Sequence, residues 1–298
     1  MKFNYLFRKG NVGYLYILPW IIGFLVFQLY PFITSFYYSF TDLTMLQQYK
    51  FIGLENYKNI FTQDPEFRNS LLVTLKYVGF TVPLKLAFAL FIAMLLTMKF
   101  RTINVFKTFY YLPSILGSCV GISILWRILF IRSGIVNMML AVFHIAPIDW
   151  LGSPDLALYT VSTLSVWQFG SSMIIFFAAL KQIPASCYEA AMIDGAGKVR
   201  TFFKITIPLI SPIILFNLVM QTIFAFQQFT APYLITGGGP INSTYLYSLL
   251  LYDNTFKYLK MGYSSALSWI LFVIILVFTM IIFQSSKYWA YYDDAGDL

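Results

Sequence analysis

Few residues in this chain of 298 are of types that do covalent chemistry, and their spacing argues against most of it. Gly195-Ala196-Gly197-Lys198 resembles the end of a phosphate-binding loop. However, Val199 stands where a Ser or Thr is needed to hold magnesium, and Met192 stands where the first glycine belongs. As a dinucleotide fingerprint the same run fails at Arg200, the third glycine position. Asp64 and Glu66 are near enough to act as an acid and base pair, yet nothing beside them completes a catalytic constellation. A single histidine, His144, excludes a multi-histidine metal site. Cys119 and Cys187 fall in an apolar run and a loop, which leaves no disulfide framework or zinc cluster. Gly237-Gly238-Gly239-Pro240 is a turn, and Asn242-Ser243-Thr244 is a glycosylation-type tripeptide of a kind common by chance. No active site is expected.

Two other groups suit non-covalent work. The first is Lys181 to Thr206, where Pro184 can open a helix over Ala185 to Asp194, Gly195 and Gly197 break it, and a second helical segment from Val199 runs into Pro208. Small Ala190 and Ala191 permit close approach of another protein, and Glu189 is one acid amid Lys181, Lys198, Arg200 and Lys204. The spacing predicts a docking knob; the plainer alternative is a connecting loop whose basic residues fix topology. The second group is polar residues inside apolar runs: Trp167, Gln168, Asn217, Gln221, Gln227 and Gln228. Amides with a flat aromatic face suit a sugar. Offsets of four and seven put Asn217, Gln221 and Gln228 roughly on one helix face, where interhelical hydrogen bonding is the competing role.

The elements that must carry these residues are membrane spans. Apolar residues make up 59% of the chain and charged ones only 11%, under half of what coats an ordinary water-facing surface. Six runs are long enough to cross about 30 Å of hydrocarbon: Tyr14 to Phe40, Leu71 to Met98, Phe109 to Phe130, Leu156 to Leu180, Ile207 to Phe229 and Ser264 to Phe283. Pro19 and Pro31 predict a kinked first span, retained as a signal anchor. On one side lie Lys2, Arg8, Lys9, Lys99, Arg101, Lys107, Lys181, Lys198, Arg200, Lys204 and Lys287. On the other are Lys50, Lys58, Arg68, Arg132, Lys257 and Lys260, and this excess predicts that both termini are cytoplasmic. The net charge of +8 is accordingly a topology signal, not a nucleic-acid footprint. Lys76 and Arg127 are near enough to span ends to snorkel, whereas Lys85, just after Pro83, is deeper. All twelve acids fall outside the spans, which disfavours an ion-coupled carrier.

The loop resembles the signature of permease subunits of ATP-binding-cassette importers, E-A-A-x3-G-x9-I-x-L-P. Glu189, Ala190, Ala191, Gly195, Ile205 and Pro208 match at the family spacing, with Ile207 in the Leu position. Six such matches arise by chance on the order of once in ten million starting positions. The resemblance covers nearly the whole chain and points to the carbohydrate-uptake branch, similar to maltose and glycerol-phosphate permeases. Leu18-Pro19, Tyr30-Pro31, Ser39-Phe40-Thr41, Gly53-Leu54-Glu55-Asn56-Tyr57, Tyr111-Leu112-Pro113, Asp194-Gly195-Ala196 and Leu234 to Pro240 carry it.

The resemblance implies an all-α, six-helix, type I importer permease fold. Residues 1–70 would form the cytoplasmic segment, first helix and first outer loop, 71–285 the core with a coupling loop at 184–206, and 286–298 a cytoplasmic tail. It implies a multi-pass protein of the bacterial cytoplasmic membrane that forms half a pathway with a second homologous permease. Two ATPase subunits would carry ATP and magnesium, an extracytoplasmic solute-binding protein would deliver a sugar or oligosaccharide, and this chain would hold no cofactor and do no catalysis. Glu189, Ala190, Ala191, Asp194, Gly195, Ile205 and Pro208 would couple to the ATPase, Glu189 by docking into its cleft. If Lys85 faces the same cavity as the amides, an acidic sugar becomes a candidate. A glycerol phosphodiester or polyol, a stand-alone facilitator and a lipid-linked-sugar enzyme are the alternatives. The facilitator has no need of the signature, and the enzyme would need an acid or metal cluster.

Overall fold

The computed structural model describes residues 12–44, 49–98, 103–117 and 119–291, which leaves Lys2, Arg8, Lys9, Lys99 and Arg101 of the charge asymmetry outside it. Two of the π turns in the apolar stretches lie just before a proline. The first stretch is α1 (Val12–Phe24), a π turn over Leu25–Leu29 and α2 (Tyr30–Tyr38). Pro31 has no N–H, and its ring would strike the carbonyl four residues back. The chain absorbs this as one wide turn, in which the Tyr30 N–H reaches the Leu25 carbonyl. The same device precedes Pro208, where Phe202–Thr206 is a π turn and the Ile207 N–H bonds to Phe202 O.

Two compact units form, one from Met1–Asp64 with Leu251–Phe272, the other from Pro65–Leu250 with Val273–Leu298. In the first unit, α3 (Glu55–Thr62) is stapled to the end of α2. The Asn56 amide donates to the carbonyls of Ser39 and Thr41 at 2.9 and 2.8 Å, and the Tyr57 hydroxyl donates to Ser39 Oγ at 2.8 Å. Two sequence motifs are thereby joined by hydrogen bonds. Gly262 lies so close to Thr41 O that a Cβ would come within 2.1 Å.

In the second unit, α4 (Pro65–Thr97) is the hub and packs against α8 (Pro154–Trp167), α9 (Gly170–Gln182) and α12 (Ile207–Phe226). Around it run α5 (Ile103–Leu116), α6 (Val120–Phe130), α7 (Ile135–Val142), α10 (Ala185–Ile193), α11 (Lys198–Thr201), α13 (Thr230–Ile235) and α14 (Tyr247–Tyr252). A last π turn, Asp253–Lys257, and α15 (Met261–Ser286) complete the order, α15 passing from the first unit to the second after Phe272. The hub buries Tyr77, Ala89 and Ala93 of α4, with Met173 and Phe176 buried on the neighbouring α9, while Val161 and Leu164 of α8 cluster with Ala231 and Ile235 of α13. Gly170 marks the tightest approach, for a Cβ there would stand 2.6 Å from Tyr110 O. Asn137 pins the segment after α6. Its amide donates to the carbonyls of Arg132 and Ile148, and its oxygen accepts from the Ile148 N–H and Trp150 Nε1.

Five helical stretches are long and apolar enough to cross a membrane: Tyr16–Tyr38, Pro65–Thr97, Val120–Val142, Lys198–Ile235 and Met261–Ser286. The bent pair Pro154–Trp167 and Gly170–Gln182 makes up to a sixth. One span expectation needs correction, and two others gain an internal bend or break. The third, Phe109 to Phe130, is not one helix but α5 and α6, separated at Gly117–Cys119, because Cys119 takes an extended conformation at the start of α6. The fourth, Leu156 to Leu180, bends by 47° between α8 and α9. In the fifth, the helix ends at Phe226, three residues short of Phe229, and α13 begins after a break. Large apolar side chains such as Trp20, Phe27 and Val142 face outward, as a hydrocarbon solvent permits.

Candidate functional site

The loop motif folds as a short helix, a tight reversal and a second helical segment. Pro184 precedes α10 in an extended conformation, and Asp194 ends it. Gly195 follows at φ +69°, where an L side chain is strained. Its N–H bonds to Met192 O, and the Ala196 N–H bonds to Ala191 O at 2.9 Å, so the last carbonyls of the helix are satisfied by the reversing chain. Gly197 then opens α11, which runs through the π turn into α12. The Tyr188 hydroxyl meets Thr206 Oγ1 at 3.2 Å and ties the knob to the base of that helix.

On this unit Glu189, Ala190, Asp194 and Gly195 are exposed, while Ala191 is turned into the protein at 5% exposure. Ile205 and Pro208 are partly buried where the unit joins α12. Met192, Ile193 and Val199 add an exposed apolar rim, with Ile193 at 87%. Glu189 thus stands exposed beside the small Ala190, with exposed apolar side chains close by in the chain.

The second candidate region is a cavity of about 390 Å³ lined by α4, α5, α8, α9 and α12 and the breaks between them. It brings together Lys85, Gln168, Gln221, Gln227 and Gln228 of the residues expected from sequence. The helix breaks make this possible. Gln168 sits at the bend after α8, where its amide donates to Gly117 O at 3.0 Å, so the interruptions of the third and fourth apolar runs meet at this side chain. Gln227 caps α12 and Gln228 follows it, with Ser248 Oγ donating to Gln228 O. The helical register drawn through Gln228 therefore gives way to a break that turns the residue into the cavity.

Asn217 and Trp167 are not among the lining residues. Asn217 is buried and donates to Ile213 O, one turn back in its own helix, at 3.0 Å. Trp167 packs on Trp126 with ring centroids 5.9 Å apart. Sequence reasoning missed Tyr77, Thr81, Ser114, Ser165 and Ser171. Tyr77, Thr81 and Lys85 recur every four residues along one apolar helix, a polar stripe that was the available signal. The Tyr77 hydroxyl and Ser165 Oγ are 2.6 Å apart, and Ser114 Oγ accepts the Ser171 N–H at 3.1 Å.

Helices long and apolar enough to cross a membrane, packed around a polar cavity, are the architecture of a permease. The chain belongs to the family described as "Binding-protein-dependent transport system inner membrane component", whose model matches residues 65–288. It is 48% identical over 297 residues, 98% of this chain and 96% of the relative, to the "Probable ABC transporter permease protein YesP" of Bacillus subtilis (strain 168). It is 31% identical, over 95% and 96% of the two chains, to the trehalose/maltose transport system permease protein MalF of Thermococcus litoralis. A solved bacterial ABC transporter that imports the acidic polysaccharide alginate superposes with a TM-score of 0.77 at 23% identity, covering 93% of this chain and 95% of its own. The expected all-α ABC importer permease fold is the one observed.

Proposed function

We propose that this chain is the permease subunit of an ATP-driven importer for a sugar or oligosaccharide. The observation that carries the reading is the cavity at the hub. Four glutamines with Ser114, Ser165 and Ser171 line it, a donor and acceptor set suited to a polyhydroxylated solute. The trehalose/maltose relative supports the same class.

The chain forms half the pathway, with a second homologous permease supplying the other half. Two ATPase subunits bind ATP and magnesium, and an extracytoplasmic solute-binding protein delivers the sugar. This chain needs no cofactor of its own. Both termini are cytoplasmic in the bacterial inner membrane, a topology favoured by Lys107 and Lys181. These residues come from different loops of the basic set, yet both lie over the Phe177 ring, at 4.1 and 5.0 Å from its centroid. The knob from Ala185 to Thr206 is the coupling element. Glu189 enters a basic cleft of the ATPase, Ala190 admits the close approach, and the Asp194–Gly195 reversal keeps the unit rigid as it transmits motion to α12.

Reconstitution with the partner permease, ATPase and binding protein tests this. Sugar-loaded binding protein should stimulate ATP hydrolysis, and Glu189→Lys should abolish the stimulation while leaving the chain inserted. Uptake by the purified chain alone, without nucleotide, would replace the importer reading with a facilitator.

A further inference from the structure

The cavity contains one feature that recognition of a neutral sugar does not require. Lys85 lies twenty residues into the 33-residue α4, which at 1.5 Å per residue is roughly 30 Å from one helix end and 18 Å from the other. It is half-buried and lines the cavity. No carboxylate is among the lining residues, and Lys85 has no hydrogen-bond or ion-pair partner among the described residues. Lys76, one of the two other basic residues within the spans, is exposed on the surface of α4, whereas Lys85 is half-buried and lines the cavity.

An unpaired ammonium at membrane depth costs several kcal/mol and persists where it faces a wet cavity and a function. The amides and hydroxyls around it already provide for the hydroxyls of a sugar. One positive charge in an otherwise neutral polar lining is complemented by one negative charge on the solute.

Building on the importer reading above, we infer that the solute is an acidic carbohydrate, a sugar bearing a carboxylate of the hexuronate type, and that this carboxylate is held by Lys85. The glutamines then orient the ring hydroxyls around that anchor.

The test uses the full importer in proteoliposomes. Its binding protein is saturated in turn with members of a panel of hexuronate disaccharides and with the same disaccharides after reduction of the carboxyl to a hydroxymethyl group. Saturation removes the binding protein's own preference from the comparison. With Lys85 in place at least one acidic sugar is taken up faster than its reduced counterpart. Lys85→Met lowers that acid-to-neutral ratio about 10- to 100-fold, as loss of one charge-assisted hydrogen bond predicts, and Lys85→Arg keeps the preference. An acid-to-neutral ratio unchanged by Lys85→Met overturns the assignment. Equal loss of both sugars in Lys85→Met, with the partner permease no longer co-purifying, overturns it in favour of an ion pair across the subunit interface. Uptake of only reduced sugars would refute the acidic preference and leave the importer reading intact. Absence of any sugar-stimulated ATP hydrolysis would remove both.

Discussion

Two glycine-to-alanine substitutions at the α5–α9 junction separate a binding effect from a packing effect. A Cβ on Gly117 would stand 2.4 Å from Gln168 Cδ and 2.8 Å from its Nε2. A Cβ on Gly170 would stand 2.6 Å from Tyr110 O and 2.8 Å from Tyr111 Cα. The first obstacle is the far end of a side chain, which can swing away at the loss of one hydrogen bond to Gly117 O, about 0.5–1.5 kcal/mol. The second is the backbone of a packed helix, which must move as a body, so overpacking of about 1–3 kcal/mol follows. Gly117→Ala should therefore leave thermal stability in detergent nearly unchanged while displacing Gln168 from the cavity wall, raising KM for uptake severalfold. Gly170→Ala should lower the melting temperature clearly. Thermal unfolding of the solubilised complex and uptake kinetics in proteoliposomes read the two effects separately. Gly170→Ala as stable as the parent, or Gly117→Ala the more damaging to stability, would refute this difference in packing.

Three further outcomes follow from single residues. Gly195→Ala meets no neighbouring atom but forces φ +69° on an L side chain at about 1–2 kcal/mol, so it should weaken sugar-stimulated ATP hydrolysis, with Gly195→Asn milder because asparagine tolerates that conformation. Asn217→Leu should keep uptake near normal, since its amide serves its own helix, whereas Gln221→Leu should raise KM; transport assays on the pair decide this. Asn56→Leu strands the carbonyls of Ser39 and Thr41 and should cost about 1–3 kcal/mol, visible as a lower melting temperature with coupling intact.

Much of this molecule is legible in sequence because a membrane leaves the backbone little choice. Apolar runs of span length must be helical to satisfy their own N–H and C=O groups, and the glycine and proline positions of the signature predict a helix, a reversal and a helix. The helix expected over Ala185 to Asp194 is observed over Ala185–Ile193, and the turn expected at Gly237 to Pro240 contains two positive-φ glycines. Hydropathy cannot detect a break inside an apolar run, however, because Gly117, Gln168 and Gln227 scarcely alter the average around them. Those breaks carry the cavity, so five of its candidate residues were legible as isolated polar insertions while their convergence was not. Asn217 shows the converse: helical spacing put it beside Gln221, yet a bond to Ile213 O consumes its amide. Ser114 and Ser171 were illegible because single serines are unremarkable in membrane helices and only the packing of α5 on α9 brings them together.

In this reading the polar cavity of this chain is driven from a distance through the knob at Glu189. The most direct measurement is ATP hydrolysis by the reconstituted complex of this chain, its partner permease, its ATPase and its binding protein, with and without a panel of neutral and acidic sugars, in parent and Glu189→Lys forms. The account predicts stimulation by at least one sugar in the parent and none in the variant, with equal amounts of both proteins inserted. Equal stimulation in the two forms, or sugar flux through this chain without ATPase and nucleotide, would contradict it.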